Sequence, residues 1–314
     1  MNRSSPLLRL LDRRTRALKR YVPHALAGDD VGVHQARVAS RRLREAVPVL
    51  SSGLHGSKAG KARRKIRRLT QALGIVRELD VTLALIDELE STPGVPKNAL
   101  AEVRAHVIAE REERRKVMHE RLEHVDLPKL ERRLDSVREA VAAPSRDHSW
   151  RAALSERLVT RARRLDKAID DAGQIYAPEA LHRVRIAAKK LRYALEIANE
   201  SNGAPCAADL RLMRRVQGAL GRLHDLQTLQ HHVAEVSAAP HPRRAPGDPG
   251  LALLGRVIED ECRLLHAKYI ALLPALREAA TRIRRQTAVR VTAPRRAPAK
   301  MHLQERRTAG AARS

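Results

Sequence analysis

Apolar positions along this chain recur every three to four residues and rarely alternate. That is the spacing of amphipathic α-helices, not of half-buried strands. Clusters of Pro, Gly, Ser and Asp interrupt the pattern at PHALAGDD (23–30), SSGLHGS (51–57), STPGVPKN (91–98), APSRDHS (143–149), YAPE (176–179), SNGAP (201–205) and AAPHPRRAPGDPG (238–250). Between them the pattern predicts helices over 6–22, 30–51, 58–90 and 97–124, with a short piece near 128–141. It then predicts helices over 150–173, 178–200, 206–236 and 250–280. Four long helices therefore occur twice. From Gln286 to Ser314 the chain is rich in Arg, Ala and Pro without a sustained apolar period, which predicts a disordered basic tail over 286–314.

The doubling extends to the residues themselves. VHQARVASRRLR (33–44) and LHRVRIAAKKLR (181–192) share His34 and His182, Arg37 and Arg185, Leu43 and Leu191, and Arg44 and Arg192, all at an offset of 148. Arg41-Arg42 is answered by Lys189-Lys190. In the third helix of each half, RRLTQALGIVRELD (67–80) aligns with RRVQGALGRLHDLQ (214–227) at an offset of 147. Two motifs at nearly one offset indicate a tandem duplication of a four-helix unit, with its seam around 142–150.

A hydrophobic fraction of 43% is enough for a folded core, but the chain has no Phe, one Trp (Trp150) and four Tyr. Ala, Leu, Val and Ile must fill that core, which suits closely packed helices. Cys206 and Cys262 offer neither a disulfide framework nor a CxxC metal pair, and read as small buried residues of a reducing compartment. The apolar runs at the N-terminus are short and broken by Arg, and no run reaches the length of a membrane span. The expectation is a cytoplasmic protein without a membrane partner.

Charge changes the picture most. Sixty-two Lys and Arg face thirty-six Asp and Glu, a formal net charge of +26. Such an excess favours a polyanion: nucleic acid, an anionic membrane or another phosphate polymer. With His34 set at zero on a helical wheel, Arg37, Arg41 and Arg44 fall at about 300°, 340° and 280°. Ala36, Ala39, Leu43, Ala46 and Leu50 fall between about 120° and 200°. One side is a cationic stripe about 15 Å long; the other packs. The second copy repeats this with His182, Arg185, Lys189 and Arg192 against Val184, Ala187, Leu191, Ala194 and Ala198.

A solvated basic face normally carries acids at four-residue spacing to relieve repulsion. These stripes carry none, and Arg42 and Lys190 add charge beside them. A row of donors suits a linear ligand with repeating negative groups, Arg forking onto phosphate oxygens and Lys acting as a point charge. The bland alternative, a screened surface helix, does not account for the stripe occurring twice with its His retained. The third helices add a second basic source, with Arg63, Arg64, Lys65, Arg67 and Arg68 answered by Arg211, Arg214 and Arg215.

Gly74 and Gly221 of the ALG segments are read as close helix contacts, and Glu78 and Asp80 as partners of Arg77 or of a facing Arg. A bound polyanion would raise the pKa of His34 and His182 and make them pH-dependent donors. His231-His232 reads as a surface pair. No HExxH, Cys/His cluster, phosphate-cradling loop or nucleophile setting stands out, so no cofactor, metal ligand or catalytic residue is expected.

The residues VHQARVASRRLREA and LHRVRIAAKKLRYALE, with LGIVRE (73–78) and LGRLHD (220–225), resemble the CHAD family, an α-helical domain named for its recurring histidines. The resemblance covers about residues 5–280. It implies an all-α fold of two four-helix repeats, about 5–142 and 148–280, related by a pseudo-twofold around a basic groove or pore. It also implies non-catalytic binding of inorganic polyphosphate, with targeting to polyphosphate granules. Carried over residue by residue, the site comprises His34, Arg37, Arg41, Arg42 and Arg44 from the first motif. His182, Arg185, Lys189, Lys190 and Arg192 come from the second, and Arg67, Arg68, Arg214 and Arg215 from the third helices. Many relatives carry a CYTH triphosphatase domain; this chain has no β-rich, Glu-alternating segment, so triphosphate hydrolysis is not carried over. Gln227 stands where an acid like Asp80 is expected, which weakens symmetric acidic roles. The competing readings are a non-specific nucleic-acid binder and a phosphate-processing enzyme. Few aromatics are present to stack on bases, so nucleic-acid binding is expected to be weak and secondary.

Overall fold

A computed structural model describes residues 6–52, 58–143, 149–202, 206–240 and 248–292. Ten helices and no strand occur among the described residues. They are α1 (Pro6–Leu26), α2 (Asp30–Leu50), α3 (Lys58–Ala72), α4 (Gly74–Glu90), α5 (Lys97–Glu123), α6 (Leu127–Ala142), α7 (Ser149–Ala172), α8 (Pro178–Asn202), α9 (Ala207–Ala238) and α10 (Pro249–Thr292). None is long and apolar enough to cross a membrane. The all-helical expectation is met. The loops predicted at 51–57, 143–149, 201–205 and 238–250 fall largely outside the described residues.

Short polar side chains fix several helix starts. Asp29 accepts from the Val31 and Gly32 amides at 3.2 and 2.9 Å, and Asp126 accepts from Lys129 at 2.8 Å. Asp248 accepts from Gly250 and Leu251 at 2.8 and 3.0 Å. Gly28, at φ +83, turns the chain between α1 and α2. Gly32 then lets α2 press against the backbone of α1 at His24 and Ala25, where a Cβ would overlap both residues. α1 and α2 form an antiparallel hairpin, and α7 and α8 form another.

Three boundaries differ from the sequence reading. α1 passes through Pro23 to Leu26 instead of stopping before it. α10 passes through Pro274 and continues to Thr292, so the segment predicted as tail from 286 begins as helix; residues 293–314 lie outside the described residues. The helix predicted over 58–90 is divided at Leu73, whereas its second-half counterpart α9 is continuous.

That division has a consequence for packing. One core gathers α1, α2, α3 and α6 with the end of α5 (Met118, Leu122) and the start of α7 (Trp150, Leu154). The other gathers α7 to α10 with α4 and the first half of α5 (Ala99, Leu100, Val103, Val107). α4 and α5 thus carry first-half sequence into the second core, and the halves interlock. With no Phe available, Leu, Val, Ile and Ala fill both cores, and Tyr269 is the largest fully buried side chain among the described residues.

Candidate polyanion site

α8 packs against both α1 and α2. This brings the inner parts of the two stripes together. Lys189 sits among the charges of Arg41, Arg185, Arg37 and Arg44. Burial first, then those four cations, pull its ammonium down to about 7. Burial, Arg41 and Arg77 pull Arg37 down to about 10, so it remains charged at neutral pH. Arg185 and Arg44 are also lowered, by burial first; Asp225 opposes this at Arg185 and Glu45 at Arg44, while Arg41 adds to it at both and Arg67 at Arg44. The buried Tyr193 lies near Arg37, Arg44 and Arg185.

The site is therefore five mutually repelling cations, Arg37, Arg41, Arg44, Arg185 and Lys189, held half-buried by apolar helix faces. Ala36, Leu43 and Ala46 anchor one helix, and Val184, Ala188 and Leu191 the other.

Arg37 is placed by the third helix. Its Nη1 donates to the Thr70 carbonyl at 3.0 Å, four residues before Gly74, where α3 and α4 part. A side chain engaging a carbonyl of the helical ladder is a recognised cause of a break. The Arg37 guanidinium lies on Gly74 itself, where a Cβ would overlap Nη1. The close approach at Gly74 is thus to the Arg37 side chain of α2. At Gly221 nothing lies within 4 Å of the place a Cβ would take, so the expected close helix contact there is corrected. Replacing Gly74 by Ala is predicted to push the flexible guanidinium off Thr70. Affinity for a phosphate polyanion, where the site binds one, should fall about fivefold with less than about 1 kcal/mol lost in stability, as read by titration and thermal melting. Unchanged affinity would contradict this placement.

The histidines flank the cations. Burial, then Arg77 and Arg37, lower His34, while Asp80 opposes them. Burial, then the His224 imidazole and Arg185, lower His182. His182 Nδ1 lies 3.3 Å from His224 Nδ1, with ring centroids 4.6 Å apart. His224 Nε2 lies 3.6 Å from Glu78, and the neighbouring imidazole is the main cause holding the Glu78 carboxyl below its ordinary range. Asp225 lies 4.0 Å from Arg185, and burial raises its pKa. Asp80 pairs with Arg111 at 2.7 Å, not with Arg77. Gln227 donates to the Tyr176 hydroxyl at 3.0 Å.

Other expected residues lie elsewhere. Arg192 binds the buried Glu196 at 2.8 Å and stacks 4.8 Å from the Tyr193 ring centroid; Arg42 reaches the same carboxylate at 3.9 Å. Neither is among the principal charges acting on Lys189. Lys190 lines a separate cleft of about 220 Å³ with Arg161, Arg164 and Arg183. Arg68, Arg214 and Arg215 are exposed on α3 and α9. His232, read as a surface residue, is 5% exposed.

Sequence reasoning gave Arg77 only a pairing role with Glu78 or Asp80, and gave His224 none. Both occupy one position of the LG-x-x-[RH]-[DE] segments, at the offset of 147, so the repeat itself carried that signal.

Comparison with known proteins gives a consistent picture. The family model for the CHAD domain matches residues 9–234. The crystal structure of the CHAD domain from the plant Ricinus communis superposes with a TM-score of 0.55 at 24% identity, covering 88% of this chain and 90% of that one. PptA from Streptomyces chartreusis superposes with a TM-score of 0.54 at 18% identity, covering 90% of this chain and 98% of that one. At these identities the structures establish likeness of fold. No curated protein matches the chain.

Proposed function

The chain belongs to the CHAD domain family, and from that premise we propose that it binds inorganic polyphosphate without hydrolysing it. In this reading the chain is two four-helix repeats related by a pseudo-twofold. α2 and α8 are equivalent, and their stripes face a shared basic groove. The protein would bind in the cytoplasm, on polyphosphate granules.

One observation carries the reading: the principal charges acting on Lys189 are four arginines. Half-burying like charges costs free energy that a structural role does not recover. A linear ligand with one negative charge per phosphate would neutralise them from both sides and restore the full charge of Lys189. Arg37, Arg41, Arg44 and Arg185 would fork onto non-bridging oxygens, with Lys189 as the central point charge. Arg67 and Arg77 extend the cationic surface at its margins. Glu78 and Asp225 lie at the α4 and α9 margin, near Arg37 and Arg185, where they would limit how far the chain runs in that direction.

The test is equilibrium binding of long-chain polyphosphate against duplex DNA at equal phosphate and moderate salt. The proposal expects polyphosphate to displace DNA at far lower phosphate concentration than the reverse, with no phosphate released. Equal affinity for the two polymers would mean a generic basic surface.

A further inference from the structure

A second group of titratable side chains converges where α5 meets α9, away from the central cations. On α5, His106 and Glu110 stand four residues apart; on α9, His232 and Glu235 stand three apart. Each spacing puts its pair on one helical face. The helices pack together, and one donor atom from each of the four residues lies within 4.8 Å of all the others.

Glu235 Oε2 is 3.2 Å from His106 Nε2 and 3.0 Å from His232 Nδ1. Glu110 Oε2 is 3.7 Å from His232 Nδ1. The two imidazole rings are 5.8 Å apart and tilted by 58°.

We propose that His106, Glu110, His232 and Glu235 form a binding site for a divalent first-row transition metal, with zinc the best match. Two imidazole nitrogens and two carboxylate oxygens are a donor set that suits zinc, whereas magnesium and calcium prefer oxygen alone. Tetrahedral zinc with bonds of about 2.0–2.2 Å holds its donors about 3.4 Å apart. Three of the six donor separations, 3.0, 3.2 and 3.7 Å, bracket that distance, and all six lie within 4.8 Å.

Hydrogen bonding explains only part of the cluster. Both imidazoles share the single oxygen Glu235 Oε2, and Glu110 Oε2 lies beyond hydrogen-bond reach of His232. A metal engages both rings and both carboxylates.

The surroundings orient the donors. Arg114 holds the other oxygen of Glu110 at 3.1 and 3.2 Å, leaving Oε2 toward His232. His231 Nε2 lies 3.3 Å from the second oxygen of Glu235. A cleft of about 430 Å³, lined by Glu110, His232 and Glu235 and also by Glu78 and His224, gives a metal access. Bound there, the ion would tie α5 to α9.

The test titrates zinc chloride into metal-free, full-length protein in phosphate-free buffer, followed by calorimetry and thermal melting. Cobalt(II) serves as a spectroscopic probe. The site predicts one equivalent of tight zinc, a raised melting temperature and visible ligand-field bands with cobalt. His106→Gln and Glu235→Gln change partly exposed residues. Each should keep the metal-free melting temperature and weaken zinc binding at least about 100-fold. Absence of saturable binding would overturn the site. So would zinc binding that survives both changes, or displacement of zinc by equimolar magnesium.

Discussion

Replacing Lys189 by Met is expected to raise the melting temperature of the ligand-free protein while removing most of its polyphosphate affinity. Folding moves this ammonium from an ordinary value of 10.5 to about 7. A base with a lowered folded pKa penalises the folded state. The penalty is fully present below pH 7, shrinks as pH rises from about 7 to 10.5, and is absent above that range. Its upper size is about 4–5 kcal/mol, from about 1.36 kcal/mol for each pKa unit. Met keeps the length and apolar stem of Lys and brings no charge. After imperfect packing, about 2 kcal/mol should remain, or about 4 °C in melting temperature for a chain of this size. The gain should be largest below pH 7 and shrink steadily as pH rises above it, as the penalty on the parent fades. A variant no more stable than the parent at pH 6 would show that Lys189 is not crowded as described. A residue that destabilises the free protein yet serves the ligand is the signature of a site held under electrostatic strain.

The second large effect is the dependence of affinity on pH. A polyanion beside Lys189 raises its pKa above about 7, so binding takes up a proton whenever the free ammonium is partly deprotonated. Below pH 7 the group is charged in both states, and its contribution to affinity is complete and constant. From pH 7 upward affinity should fall, by up to about tenfold per pH unit for one linked proton. Long chains should be used, because their internal phosphates do not titrate in this range. Lys189→Arg should flatten the slope between pH 7.5 and 9 while retaining affinity, since Arg stays charged. His34 and His182, both held below the ordinary imidazole value in the free protein, add proton uptake on the acidic side. Isothermal titration in two buffers of different ionisation enthalpy counts these protons directly. A pH-independent affinity in the parent protein, or an unchanged slope in Lys189→Arg, would contradict the assignment.

Much of this architecture was legible in the chain. The three-to-four spacing of apolar residues predicted the helices, and the two basic strings identified α2 and α8 as the elements of interest. Wheel geometry also placed Arg37, Arg41, Arg185 and Lys189 opposite the packing faces, where they stand. A wheel treats one helix at a time, however, and cannot tell which part of a stripe meets a neighbouring carboxylate. Arg44 and Arg192 are equivalent by offset, yet Arg192 is taken by Glu196 one turn further along α8, while Arg44 faces the cluster. Arg42 and Lys190 occupy equivalent positions and turn to different neighbours. The break at Leu73 was equally hidden, because both halves carry ALG. The first half differs in that the guanidinium of Arg37, from another helix, lies on Gly74. His232 escaped because burial on α9 depends on α5 packing across it, a tertiary contact that a local HH pair does not announce.

The measurement that tests the central claim most directly is a competition titration of long-chain polyphosphate against duplex DNA. It compares the parent protein with a variant carrying Arg37, Arg41, Arg185 and Lys189 changed to Ala. Circular dichroism would check that the helices persist. The account predicts tight, polyphosphate-selective binding in the parent and a loss of at least about 1,000-fold in the variant, as expected for four desolvated cation–phosphate contacts of about 1.5–3 kcal/mol each even with strong non-additivity. Weak DNA binding should be little changed. Polyphosphate affinity that survives the four changes would contradict the account and move the ligand to the outer basic surfaces.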